Sequence, residues 1–169
     1  MRSNTFMYNV KISINLWKNI MSIKNCEFIV AGKPTGKARP RFTKQGHAYT
    51  PKETRQRETL IKQTAWVAMQ NSRLKVTDRR VSVIVSFYFD VPKSYTKTKT
   101  ILCQSGVLVP SKPDIDNLAK AVLDGCNEVV YRDDAQVWHL SAFKSYCKSD
   151  QKAETHVKIQ WDELENFAQ

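Results

Sequence analysis

The sequence predicts one α+β domain, a mixed β-sheet with helices packed on it in the order β-α-β-α-β-β. Three observations carry that expectation. Val81, Val83, Val85, Phe87 and Phe89 alternate strictly, the period of a strand with one apolar face. Ile115, Leu118, Ala119, Val122, Leu123 and Cys126 recur at the three-and-four spacing of an amphipathic helix. At 169 residues the chain is long enough for one sizeable core and short for two.

Taken in order, residues 1–21 hold scattered apolar side chains, but Lys11, Asn15, Lys18 and Asn19 interrupt any run that could span a bilayer. They also lack an apolar stretch followed by a small-residue cleavage site, so no membrane span or signal peptide is expected. The reading is a poorly ordered N-terminal extension over 1–21, a domain over 22–163 and a tail over 164–169. Cys26 to Ala31 is a β-forming run closed by Gly32 and Pro34, hence a strand. The following segment, GKPTGKARPRFTKQG, mixes glycine and proline with Lys33, Lys37, Arg39, Arg41 and Lys44 and predicts a basic loop.

Thr50, Pro51 and Glu53 form a capping-box signal with proline at the first helical position. The helix runs to about Asn71 and presents Leu60, Ile61, Thr64, Val67 and Ala68 to a core. Pro92 ends the strand that follows. Residues 93–113 show no sustained period and are expected to form a mobile loop. After the helix that starts near Asp114, Val137 to Cys147 and Thr155 to Trp161 read as two antiparallel strands joined by the polar turn KSDQKAE.

Charge narrows the function. Lysine and arginine exceed aspartate and glutamate by 27 − 16 = 11, with a pI near 9.6, so the first expected partner is a polyanion. The cysteines, Cys26, Cys103, Cys126 and Cys147, form no CxxC pair, so reduced thiols in a cytosolic protein are expected and a zinc ribbon is not. His47, His139 and His156 lack any ligand spacing.

Against this basic background, residues 112–136 concentrate Asp114, Asp116, Asp124, Asp133 and Asp134. Asp114 and Asp116 fall at a helix start, Lys120 and Asp124 lie one and two turns beyond Asp116, and Asp134 precedes the next strand. The ordinary explanation is electrostatic: acids at a helix N-terminus are stabilised by the macrodipole, and Asp116 with Lys120 makes an i,i+4 pair. That does not account for the second acidic pair, which a returning chain could bring opposite the helix start. A divalent-metal site is therefore the competing reading. Mg²⁺ is held by a few carboxylates with water and phosphate completing its shell, and it suits phosphodiester hydrolysis. A nearby lysine could hold or neutralise the scissile phosphate. An aspartyl-phosphatase DxD motif is disfavoured, because the prolines before Asp114 argue against the buried strand such a motif follows.

These residues also carry a resemblance. KPDIDNLAKAVLDG followed by VVYRDDAQV closely resembles the signature of the RusA-type Holliday junction resolvases, crossover junction endodeoxyribonucleases common in phages and prophages. The upstream GKARPRFTKQGHAYTPKET resembles that family's basic N-terminal segment, and the likeness covers roughly residues 25–160. The resemblance implies catalytic Asp114, Asp116, Lys120 and Asp134, the three aspartates binding Mg²⁺ or Mn²⁺. Asp124, Asp133 and Asn117 take supporting places, and Lys37, Arg39, Arg41 and Lys44 contact DNA. It further implies a cytoplasmic, bacterial or phage-encoded homodimer that makes paired nicks in four-way junctions during recombination and repair. The alternative is a noncatalytic, structure-selective DNA-binding protein.

Overall fold

A computed structural model describes residues 21–38, 41–43, 45–49 and 51–164; the expectation of a poorly ordered N-terminal extension over 1–21 falls on residues outside this set except for Met21, which begins a strand. Strand β1 (Met21–Ala31) is followed by a small hairpin, β2 (Arg41–Phe42) with β3 (Ala48–Tyr49), whose first strand lies inside the segment expected to be only loop. Then come α1 (Lys52–Asn71), β4 (Val81–Phe89), α2 (Lys97–Gln104), α3 (Ile115–Cys126), a 3-10 turn (Asp134–Gln136), β5 (Val137–Tyr146) and β6 (Glu154–Leu164).

The larger sheet has the order β1-β6-β4-β5. β6 runs antiparallel to both β1 and β4, whereas β4 and β5 are parallel. The α+β class and the mixed sheet follow the sequence reading. The expected neighbours do not: β5 and β6 run in opposite directions, but β4 lies between them. β4 is the most apolar strand, buried at every second residue from Val81 to Phe89, and burying it in the sheet interior removes the most apolar surface from water.

One face of the sheet carries the core. Cys26, Phe28 and Val30 of β1, the alternating residues of β4, and Val157, Ile159 and Trp161 of β6 pack with Ile61, Ala65 and Met69 of α1 and Leu118, Val122 and Cys126 of α3. On α1 the buried positions are Thr54, Arg57, Ile61, Ala65 and Met69, while Leu60 and Val67 of the expected stripe are exposed. Two apolar stripes lie side by side on this helix, and only contact with β1 and α3 decides between them. Pro51 precedes the first helical residue and acts as the cap position without a side-chain bond; Thr50 lies outside the described residues.

The segment expected to be a mobile loop instead contains α2. Thr96 caps it, its hydroxyl accepting from the Lys99 amide at 3.3 Å, and Cys103 is its buried anchor. Such a short helix with one inward residue has too little apolar period to be read from sequence. Among the described residues no helix is long and apolar enough to cross a membrane.

Candidate active site

The start of α3 is built as a projecting acidic end. Lys144 of β5 donates to the carbonyls of Ser111 (2.8 Å) and Pro113 (2.7 Å), fastening the approach to the helix onto the sheet. Asp114 then occupies the cap position in extended conformation, its carbonyl accepting from the Leu118 amide at 3.2 Å, while its carboxylate makes no capping bond. Asp116 follows in the first turn. Both side chains are exposed, and neither takes part in an ion pair among the described residues. The helix dipole favours negative charge at this end. Lys120, one turn on, is also exposed; the i,i+4 pair with Asp116 is not formed.

The basic loop crosses this helix. The Lys37 amide donates to the Asn117 carbonyl at 2.9 Å. A Cβ on Gly36 would come within 3.1 Å of the Asn117 Cβ, a tight contact that glycine avoids. The ammonium of Lys37 donates to Asp124 and lies 3.7 Å from Glu58 of α1. The hydrogen bond to Asp124 raises the Lys37 pKa, with burial opposing and the charges of Asp124 and Glu58 adding to it. One expectation changes. Lys37 is committed to two carboxylates and is not a free cation for phosphate, and the supporting place expected for Asp124 is in this cluster. Arg39 and Lys44 lie outside the described residues, as does the Arg41 side chain.

Two residues that the sequence reading missed support the arrangement. Glu58 has a solvent-shielded Oε1 without a hydrogen-bond partner, and the Lys37 ammonium provides its compensating charge. Arg57, buried beside it in sequence, donates to the Ala31 carbonyl (2.9 Å) and the Thr155 hydroxyl (3.0 Å), tying α1 to β1 and β6; burial lowers its pKa. The available signal was charge placed at helical spacing from Ile61 and Ala65 on the inward side of the helix.

The second acidic pair is tied near the other end of α3. Tyr131 is fully buried and its hydroxyl donates to the Leu123 carbonyl at 3.0 Å, while the Glu128 amide donates to the Tyr131 carbonyl at 2.7 Å. Asp133 caps the 3-10 turn: its carboxylate accepts from the Ala135 amide at 2.8 Å, and the Gln136 side chain accepts from the Asp133 amide at 3.0 Å. Gln136 also donates to the carbonyls of Thr77 (3.1 Å) and Arg79 (2.7 Å), docking the turn beside the entry to β4. Asp134 is thereby left exposed. Burial, then Cys126, Asp134 and Asp124, push the Tyr131 phenol up, so the tyrosine senses Asp134 from within the core.

The oxygen donors of Asp114 and Asp116 suit a hard cation such as Mg²⁺. Among the described residues, however, no three Asp, Glu, His or Cys side chains are grouped to hold an ion, so Asp134 does not complete a cluster with Asp114 and Asp116. The fit is to an open pair of carboxylates whose remaining positions fall to water and phosphate. Of the histidines, His139 bonds Ser82 at 2.8 Å and His156 bonds Glu154 at 2.8 Å, both on the sheet.

An uncharacterized protein, YqaN of Bacillus subtilis (strain 168), is 32% identical over 123 residues, covering 71% of this chain and 87% of that protein. The family described as Endodeoxyribonuclease RusA matches residues 31–160, which take in the basic loop, the start of α3 and the 3-10 turn alike. The chain belongs to the RusA endodeoxyribonuclease family.

Proposed function

We propose that this protein is a Mg²⁺-dependent endodeoxyribonuclease that acts as a homodimer on four-way DNA junctions, making paired nicks. Family membership supports the nuclease class, and one observation supports the chemistry: Asp114 and Asp116 stand exposed at the start of α3 and, among the described residues, unpaired, with exposed Lys120 one turn along. Asp114 and Asp116 would hold the cation, which when bound supplies charge neutralisation and an acidified water. Lys120, not spent on Asp116, offers its ammonium to the scissile phosphate. Asp134 takes a metal-binding role here through the family motif alone. A homodimer suits a substrate with two equivalent strands, since two-fold symmetry provides two equivalent sites.

The missing three-carboxylate cluster favours a second reading, a structure-selective binder that does not cut. One experiment separates them. Wild type, Asp116→Asn and Asp134→Asn are incubated with labelled four-way junction and with linear duplex, with and without Mg²⁺. The nuclease reading expects metal-dependent paired nicks lost in Asp116→Asn while junction binding persists. Binding without cleavage under any divalent metal would establish the second reading, and equal cutting of linear duplex would remove the junction from the proposal.

A further inference from the structure

Among the described tryptophans Trp138 is the most exposed, at 65%. The register of β4 with β5 pairs Val81 with Val137 and then Ser82 with His139, so Trp138 is the extra residue of a bulge. Bulges are rare between parallel strands, and they re-aim a side chain. Here the indole meets the Arg80 guanidinium, which lies 5.4 Å from the ring centroid. The His139 ring, next along the strand, is tilted 44° to the indole and does not stack flat on it; Ser82 holds that imidazole at 2.8 Å. Gln136 locks this platform to the turn that bears Asp134. Its Oε1 accepts from the Arg132 amide at 2.8 Å, and its amide nitrogen donates to the Arg79 carbonyl at 2.7 Å. Exposed Arg79, Arg80 and Arg132 are thereby gathered at the start of β5. Of these, only Arg79 forms an ion pair among the described residues, 3.9 Å from Asp78. A cleft of about 150 Å³ opens beside the indole, its lining including Ile23, Ser82, Gln160 and Asp162.

We infer that Trp138 is a stacking platform for one unstacked nucleobase of the DNA, with Arg80 and Arg132 on its phosphates and Asp162 accepting from an amino group at the base edge. This deepens the proposed function and rests on DNA being the ligand, but not on its cleavage. Charge and chemistry select the occupant. A protein partner would dock on a spread of apolar side chains, whereas Trp138 and Ile23 are the exposed apolar residues of this cleft and arginines stand at its rim. A free anion would use the arginines and leave the indole idle. Every base has a π-face, so an aromatic ring beside cations fits a strand of any sequence. Half-buried Asp162 repels phosphate but suits the amino groups of bases, which orients the nucleotide with its base inward and its phosphates toward the arginines. Trp138 follows Asp134 by four residues, so the stacked base belongs to a nucleotide close to the phosphate that Asp134 is proposed to meet.

The test measures binding of the full chain to a labelled four-way junction by fluorescence anisotropy without Mg²⁺. Wild type is compared with Trp138→Phe, Trp138→Ala and Arg80→Gln, each checked for folding by circular dichroism, and the intact junction with junctions carrying one abasic site at successive positions near the branch point. The inference expects Trp138→Ala to weaken binding about 5- to 150-fold, the range that losing one base stack gives, and Trp138→Phe to lose much less. Trp138→Ala should leave the slope of log affinity against log salt unchanged, since a stack releases no counterion, whereas Arg80→Gln should flatten it. At one abasic position wild type should bind as weakly as Trp138→Ala, and Trp138→Ala should lose nothing further there. A tryptophan that only supports the fold would weaken intact and abasic junctions alike, and that result would overturn the inference. So would a folded Trp138→Ala that binds like wild type, which would assign the ring to a protein partner. The abasic signature in a wild type that cuts no DNA with Mg²⁺ would support the platform while refuting the nuclease reading. Metal-dependent cutting with no loss of binding in Trp138→Ala would do the reverse.

Discussion

Substituting Gly125 by alanine tests the packing that holds the candidate site's helix in place. Gly125 is buried on the side of α3 facing α1, and a Cβ there would lie 2.6 Å from Ile61 Cγ2, 2.8 Å from Ile61 Cβ and 3.4 Å from the Glu58 carbonyl. Carbon atoms in contact sit about 3.5 to 4.0 Å apart, so roughly 1 Å must open. Ile61 is 1% exposed and β-branched in a helix, so it has one strongly preferred χ1 rotamer, and no rotation moves its Cβ. The helices must shift. Overpacking of this kind costs about 1 to 3 kcal/mol, and the helix-propensity gain of alanine over glycine returns about 1 kcal/mol. The net expectation is destabilisation by up to about 2 kcal/mol, a fall in Tm of up to roughly 8 °C for a domain of this size. Urea unfolding measures it. Ile61→Ala, a cavity mutation costing about 2 to 5 kcal/mol alone, should cost less in the Gly125→Ala background, with a coupling of at least about 0.5 kcal/mol. An additive double mutant, or a Gly125→Ala protein more stable than wild type, would refute the reasoning.

Further expectations concern charge and thiols. Because Lys37 is committed to Asp124 and Glu58, Lys37→Met should leave the slope of log affinity against log salt almost unchanged, whereas Arg39→Ala with Arg41→Ala should flatten it by about 0.9 per lost phosphate contact. A full unit of slope lost on Lys37→Met would return it to the DNA-contacting set. All four cysteines are buried, and burial pushes the Cys26 and Cys147 thiols up to about 11, so a thiol reagent at neutral pH should label the folded protein only at the rate of its opening. Rapid labelling of any one of them in the native state would contradict the packing. Stability should fall as pH rises above about 9, the ordinary thiol value, because the unfolded chain then loses protons that the folded chain keeps; the raised Lys37 adds a loss of the same sign above 10.5. Denaturant unfolding across pH 7 to 11 checks the sign.

Much of the site was legible because its cues are local. The alternation of Val81 to Phe89 and the stripe from Leu118 to Cys126 are properties of neighbouring residues, and they placed β4 and α3 where the structure has them. With α3 placed, Asp114, Asp116 and Lys120 fell on its exposed start. Long-range pairing was not legible. The turn KSDQKAE suggested neighbours in β5 and β6, yet β4 takes the place between them because its apolar face gains most from being interior. The choice between Leu60 and Ala65 as the buried side of α1 likewise belongs to α3, whose Gly125 packs against Ile61.

The sequence by itself determined the fold class, the two helices and one strand with strong periods, and a basic chain bearing two exposed aspartates and a lysine at a helix start. Tertiary structure alone decided which charges are spent and which are available. Lys37, Asp124 and Glu58 come from three separate elements and neutralise one another, while Asp133 is absorbed as a cap and Asp134 is held by the Tyr131 and Gln136 bonds apart from Asp114 and Asp116. The physical reason is range. Periodicity and capping are set within a few residues, whereas an ion pair depends on where the packed core brings distant segments together.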